Sequence, residues 1–413
     1  MKCMFNNVVI NLINEIRKDV GLCEFQKDED KIYEFIEKRI LEHSRLDLWN
    51  FKEKLKLVDQ VYYTIRKDLG ILYPFSQDED ITEIMVNGKD NIFVERKGVI
   101  EKLDIQFTST EELEELIRRL AGRVHREINE MNPIVDARLE DGSRVNAVYK
   151  NIALNGPILT IRKFPEKAYT MKDMIEFGTI TEEAAVFMED MVIYGQNIFI
   201  SGGTGSGKTS MLNVLSNYIP TQERIIVIED SAELQLVSIE NIVRLECKNA
   251  NVQGRGLIDM QQLIKTSLRM RPNRIIVGEV RGKEVLDMLQ AFNTGHDGSL
   301  STGHGNSVSG MLKRLETMVL QAASFPIDAI RSQIAEGIDI MVHLGRMVDK
   351  SRKILEISEI CGYQNGRYIV NPIFKYDIQK GLIRTGNDIK NVEKIQLRME
   401  DEREKYGGKT ILL

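Results

Sequence analysis

The stretch FISGGTGSGKTSML, residues 199–212, constrains this chain more than any other. Gly202, Gly203, Gly205 and Gly207 stand close together directly before Lys208 and Thr209. Glycine is costly to order, so this density marks a place where backbone must approach something without side chains in the way. The apolar run from Asn197 to Ser201 reads as a buried strand, and Met211, Leu212 and Leu215 recur at helical spacing. A strand, a loop of the form Gly, four residues, Gly-Lys-Ser/Thr, and a helix make a phosphate cradle: loop N–H groups turn inward, and the helix aims its positive end at the same charge. The candidate nucleotide-binding residues are therefore Gly202, Gly203, Thr204, Gly205, Ser206, Gly207, Lys208, Thr209 and Ser210. Lys208 is expected to reach the β- and γ-phosphates, and the Thr209 hydroxyl to take a place on Mg²⁺.

The rest of the chain is ordinary globular material. Of 413 residues, 42% are apolar and 29% charged, enough for two or three cores. The net charge of −6 supplies no basic footprint, so no direct nucleic acid is expected. Cys3, Cys23, Cys247 and Cys361 are far apart and lack metal-ligand spacing, which suits a reducing cytosol. No run approaches the ~18 apolar residues of a membrane span, so the chain is read as soluble or peripheral.

Periodicity divides the chain into four segments. Residues 1–70 read as a helical region, with Ile32, Phe35, Ile36 and Ile40 at helical spacing and Gly70 as a stop. Residues 71–165 read as a small α+β domain, with short strands between Gly-containing turns and a helix opened by a capping box of Ser109 and Glu112. From 166 to 380, strands and helices alternate, which argues an α/β domain with a parallel sheet and a ligand at the carboxyl ends of its strands. Residues 381–413 read as a polar tail without an assigned role.

A phosphate cradle does not by itself say that a nucleotide is cleaved; carboxylates do. RIIVIEDSAEL delivers Glu229 and Asp230 at the end of an apolar strand, and RIIVGEVRG delivers Glu279. An acid at such a strand tip can hold Mg²⁺, directly or through water, or orient an attacking water; it can also be plain solvated charge. Many nucleotide hydrolases place Asp before the second of these acids, where this chain has Gly278. Metal ligation is therefore expected to rest on Thr209, water and Glu229. NTGHDGSLSTGHGNS holds His296 and His304, too far apart for a metal pair but suited to a γ-phosphate contact or to packing.

These residues together resemble the secretion ATPases of the type II/type IV superfamily, and within it the CpaF-like (Tad pilus) branch, over roughly residues 75 to 365. SGGTGSGKTS resembles the family's Walker A, IEDSAEL its Asp box, LRMRPNRIIVGEVRG its Walker B and NTGHDGSLSTGHGNS its His box, in family order. One departure is that Gly303 and Gly305 flank His304, where relatives commonly carry a bulkier residue and Ala; a more flexible loop is expected from this. The resemblance implies a RecA-like P-loop motor domain, assembly as a homo-hexamer, and ATP hydrolysis with Mg²⁺. It also implies work on a polytopic membrane platform of a pilus or secretion system, from the cytoplasmic face of the inner membrane. By the same carry-over, Glu229 and Glu279 polarise or hold water and metal, and His304 senses the γ-phosphate.

Catalysis of phosphoryl transfer also needs cationic charge beyond the loop lysine. Arg281 follows Glu279, and Arg138, Arg144 and Arg162 lie on or beside strands of the α+β domain. Strand alternation puts Arg144 with Asn146 and Arg162 with Thr160, opposite the apolar residues, so both point away from that domain's core. The resemblance implies that Arg144 and Arg162 act as arginine fingers. Two other readings are a nucleic-acid translocase or conjugation-type motor, against which the acidic balance counts, and a nucleotide-gated scaffold with idle carboxylates.

Overall fold

The computed structural model describes residues 11–20, 28–43, 46, 49–164, 168–248, 250 and 255–406. It divides into two compact units, Met1–Pro165 and Glu166–Leu413.

The first unit begins with helices at 11–20, Glu29–Leu41 and Phe51–Arg66. Asp28 caps the second and Asn50 with Glu53 forms a capping box on the third. Ile16, Ile32, Ile36, Ile40, Val58 and Val61 are fully buried in their shared core. A six-stranded antiparallel sheet follows: β1 (Ile81–Asn87), β2 (Ile92–Arg96), β3 (Val99–Lys102), β4 (Ile134–Arg138), β5 (Arg144–Val148) and β6 (Ile158–Arg162), in the order β3-β2-β1-β6-β5-β4. The helix Thr110–Arg123 contributes Leu113, Leu116, Ile117 and Leu120 to the same core as Ile84, Val145, Leu159 and Ile161. Its cap differs from the expected box. The Glu112 N–H donates to Ser109 Oγ, but the Glu112 carboxylate turns to Thr108, which offers it both N–H (2.7 Å) and hydroxyl. Two donors from one residue outcompete the single Ser109 N–H.

The second unit is built on a nine-stranded sheet. Its strands are β7 (Ile198–Gly202), β8 (Ile225–Glu229), β9 (Ile242–Glu246), β10 (Arg274–Val280), β11 (Leu300–His304), β12 (Ile340–Arg346), β13 (Arg352–Gln364), β14 (Arg367–Asp377) and β15 (Gly381–Arg384). The order is β15-β14-β13-β12-β7-β11-β10-β8-β9. From β12 to β9 every pairing is parallel, and β13, β14 and β15 extend the sheet as an antiparallel meander. Every residue of β7 and β8 is buried, as expected of parallel strands covered on both faces. Two apolar cores result, one containing Ile198, Ile200, Leu212 and Ile225, the other Phe199, Ile226, Val277 and Met311. This is the α/β, RecA-like P-loop architecture. The segment expected to be a polar tail takes part in it: β15 pairs with β14, and Ile395, in the helix Glu393–Tyr406, is fully buried.

Candidate functional site

The site forms at the carboxyl ends of the parallel strands, where β7 runs into the glycine loop and then into the helix Lys208–Ser216. Gly205 (φ 68°) and Gly207 (φ 93°) adopt left-handed backbone that side chains disfavour. At Gly202 the constraint is space. A Cβ there would stand 2.5 Å from Ser206 Oγ and 2.6 Å from the Leu344 carbonyl oxygen. The loop is closed internally by Ser206 Oγ, which donates to the Gly203 carbonyl at 2.9 Å.

Lys208 is 7% exposed, and its Nζ donates to the same Gly203 carbonyl at 3.0 Å. Nζ also lies 3.4 Å from His304 Nδ1, while His304 Nε2 lies 2.9 Å from Glu279 Oε1. An ammonium can only donate, so Nδ1 accepts and the imidazole proton sits on Nε2, facing the carboxylate. Burial and the neighbouring Lys208 charge hold His304 below the ordinary histidine range despite Glu279, in keeping with this neutral form. Burial pushes the Glu279 carboxyl up, but its hydrogen bond to Arg281 and the charges of Arg281, His304 and Lys208 outweigh that and hold it below the ordinary range. Arg281 grips Glu279 through two nitrogens, at 2.9 and 3.2 Å. The result is one connected line from Gly203 through Lys208, His304 and Glu279 to Arg281, in which a base and two cations border the phosphate loop.

Glu229 is 3% exposed, and its Oε1 accepts N–H bonds from Glu233 (2.7 Å) and Leu234 (3.0 Å). Burial raises its carboxyl above the usual range against the pull of those two N–H groups. The Glu229 side chain also crowds Gly278: a Cβ at 278 would lie 3.1 Å from Glu229 Cγ, so a larger residue there would push Glu229 aside by a few tenths of an ångström. Thr302 Oγ1 ties β11 to β10 through the Gly278 carbonyl at 2.7 Å.

The glycines beside His304 are likewise set by packing. A Cβ at Gly303 would meet Met311 Cε at 2.8 Å and the Phe199 ring at 2.9 Å, and one at Gly305 would meet Met311 Sδ at 2.9 Å. Where a loop is expected on both sides of His304, Gly303 and His304 instead belong to β11, paired with Ser201 and Gly202 of β7. His296 turns away from this line, its Nδ1 3.1 Å from the carbonyl of Ala291 in the preceding helix. Thr204, Thr209 and Ser210 occupy the loop and the first turn of the helix it opens.

Arg352 was not singled out by any motif, yet its Nε donates to the Gly205 carbonyl at 3.3 Å. Lys313 and Arg314, from the helix Val308–Ala322, join Gly203, Thr204 and His304 around an open cleft of about 690 Å³. No sequence signal marks these residues; hairpin register and helix packing bring them in.

Arg144 and Arg162 lie in the first unit and stand directly opposite each other on β5 and β6. Arg138 of β4 faces Arg144, and Glu83 of β1 faces Arg162, so three arginines and an acid occupy one rung. Val145, Ala147, Leu159 and Ile161 are buried on the other face, as strand parity requires.

A family model described as type II/IV secretion system protein matches residues 66–394. An uncharacterized protein of Methanocaldococcus jannaschii is 35% identical over 426 residues, covering 97% of this chain and 51% of that protein, so the chain spans about half of that relative's length. A putative conjugal transfer protein of Mycobacterium tuberculosis is 32% identical over 297 residues, covering 70% of this chain and 83% of that protein. In fold, the chain is similar to the Legionella pneumophila ATPase DotB, with a TM-score of 0.51 and 21% identity over 70% of this chain and 79% of that one. Through the family match over most of its length, the chain belongs to the type II/IV secretion system proteins.

Proposed function

We propose that this protein is an ATP hydrolase of a secretion or pilus system, in the manner of the CpaF-like branch, working as a homo-hexamer against a polytopic membrane platform from its cytoplasmic face. The observation that carries the reading is the contact line Lys208–His304–Glu279 at the mouth of a phosphate loop. Lys208 supplies charge to the phosphates, and Glu279 orients or deprotonates the attacking water. His304, neutral and protonated on Nε2, reports on the γ-phosphate through Lys208 and Glu279.

Mg²⁺ fits the residues present. Among the described residues no group of three His, Cys, Asp or Glu could hold a metal ion. A cation held chiefly by phosphate oxygens and water would need only the Thr209 hydroxyl, with Glu229 assigned to it directly or through water. When bound, it would neutralise charge developing on the phosphates. Arg144 and Arg162, neighbours on one rung of the sheet, act as arginine fingers that supply positive charge to the transition state. Among the described residues no helix is long and apolar enough to cross a membrane.

Steady-state ATPase assays with Lys208→Ala test the reading: hydrolysis is expected to fall to background while circular dichroism stays unchanged. Turnover at the wild-type rate in this variant would remove the nucleotide assignment. The relative from M. tuberculosis bears the name of a conjugal transfer protein, which favours a conjugation-type motor as the second reading. Stimulation of the ATPase by DNA would support that alternative.

A further inference from the structure

The hairpin of β12 and β13 runs beside the phosphate loop. Leu344 is in register with Gly202 of β7, and Arg346 with Arg352 across the hairpin. The turn is closed by the Met347 N–H, which donates to the Ser351 carbonyl at 2.8 Å, and Asp349 Oδ1 accepts both the N–H and the hydroxyl of Ser351. This hairpin carries Arg352 to the loop, where its Nε donates to the Gly205 carbonyl at 3.3 Å. The stem of Arg352 lies against Gly207: a Cβ on that glycine would stand 3.7 Å from Arg352 Cγ.

A trans peptide sets its C=O and N–H on opposite sides. With the Gly205 oxygen turned to Arg352, the Ser206 N–H faces the other way, where its acceptor is the Gly203 carbonyl at 3.4 Å. Lys208 Nζ reaches the same oxygen at 3.0 Å. A backbone donor and the loop ammonium thus converge on one point, as a phosphate oxygen requires. Gly205 cannot fix that peptide by itself, since a residue without Cβ moves freely through both halves of its backbone map. A hydrogen bond from a permanently charged guanidinium can.

We propose that Arg352 is a positioning residue for nucleotide binding: by holding the Gly205 carbonyl it turns the Ser206 N–H toward the phosphates. This deepens the phosphate-loop reading above and rests on it. The role is in affinity, because the line Lys208–His304–Glu279 is held by its own contacts. Loss of Arg352 should therefore weaken ADP and raise KM far more than it slows the chemical step.

Three substitutions separate the hydrogen bond from the charge. Arg352→Gln places a donor nitrogen where Nε stands and removes the charge. Arg352→Met puts a methyl there and removes both, and Arg352→Lys puts a methylene there and keeps the charge one atom further out. Binding of a fluorescent ADP analogue and steady-state ATPase are measured on the full chain with saturating Mg²⁺. Met and Lys are expected to weaken ADP and raise KM for ATP about 10-fold, with kcat within about threefold, and Gln to recover most of the loss. If Arg352→Met fails to fold, Gln against Lys makes the same comparison. The proposal is overturned if Arg352→Met binds ADP within about twofold of wild type, if Gln is no better than Met, or if kcat falls while affinity holds. It is also overturned if Lys binds more tightly than Gln, which would mark a charge acting directly on the nucleotide. A wild-type protein that binds no nucleotide would instead remove the phosphate-loop reading, and this inference with it.

Discussion

In the sheet of the second unit, β7 and β8 bury every residue, and the candidate site residues stand at or near strand ends: Lys208 and Thr209 beyond β7, Glu229 ending β8, Glu279 near the end of β10 and His304 ending β11. The sheet of the first unit distributes polarity differently. There β5 and β6 alternate, and Arg144, which opens β5, and Arg162, which ends β6, stand on the face opposite Val145 and Ile161. A parallel sheet covered on both faces has no open surface except its ends, so its chemistry depends on backbone geometry and tight packing. A half-covered antiparallel sheet can carry charge on its open face without disturbing its core. Substitutions at the tightly packed strand ends, Glu229 and Gly303 among them, should affect folding and chemistry together, and those on the open face chemistry alone.

The widest separation between the two should come from the arginines. Arg144→Ala and Arg162→Ala are each expected to lower ATP turnover by about 10³- to 10⁵-fold. Their melting temperatures should stay close to that of the wild type, because the buried face formed by Val145, Ala147, Leu159 and Ile161 is left untouched. Rates near wild type, with hexamers verified by light scattering, would reduce both to ordinary surface charge.

Next come the strand-end acids. Glu279→Gln should bind ATP yet hydrolyse it at least ~10²-fold more slowly. Glu229→Gln should lose activity similarly and weaken Mg²⁺ dependence, whereas Glu229→Ala should also lower stability by about 1–3 kcal/mol, since it leaves the Glu233 and Leu234 N–H groups without their acceptor. Urea titration beside the ATPase assay separates the two roles of Glu229. A Glu229→Ala variant as stable as Glu229→Gln would contradict the structural part of the Glu229 role.

Gly303→Ala isolates the packing contribution. It adds one methyl against Phe199 and Met311 and is expected to cost about 1–3 kcal/mol by urea denaturation. A variant as stable as wild type would show that the strand end yields more readily than the contacts imply.

The smallest effect expected is in pH dependence. His304 is held below 6.5 by burial and Lys208, and Glu279 is held below its ordinary 4.5 by Arg281, His304 and Lys208 against its burial. Both groups bind fewer protons folded than unfolded, so their contribution to stability declines as pH falls through the folded values. The acid limb of kcat should likewise lie below pH 6.5, where a second imidazole proton would face the Lys208 ammonium. A midpoint at or above 6.5 would mean that His304 is not held in the neutral form by these contacts.

Much of this was legible in the chain because it is local. Glycines at 205 and 207 announce left-handed backbone, the runs IIVIE and RIIVGEV announce strands covered on both sides, and the alternation in SRVNAV places Arg144 on the outer face. Each of those signals spans a handful of residues, and backbone propensity with side-chain parity acts over that range. What tertiary structure alone decided is pairing at long separation: Lys208 with His304, Arg352 with Gly205, His343 with Ser201, and Ile395 of the supposed tail with the core. The same applies to the crowding at Gly278 and Gly303, since the atoms a Cβ would meet, Glu229 Cγ and the Phe199 ring, come from other strands. Close packing joins residues by proximity in space, and periodicity along a single strand or helix carries no record of which neighbour will occupy that space.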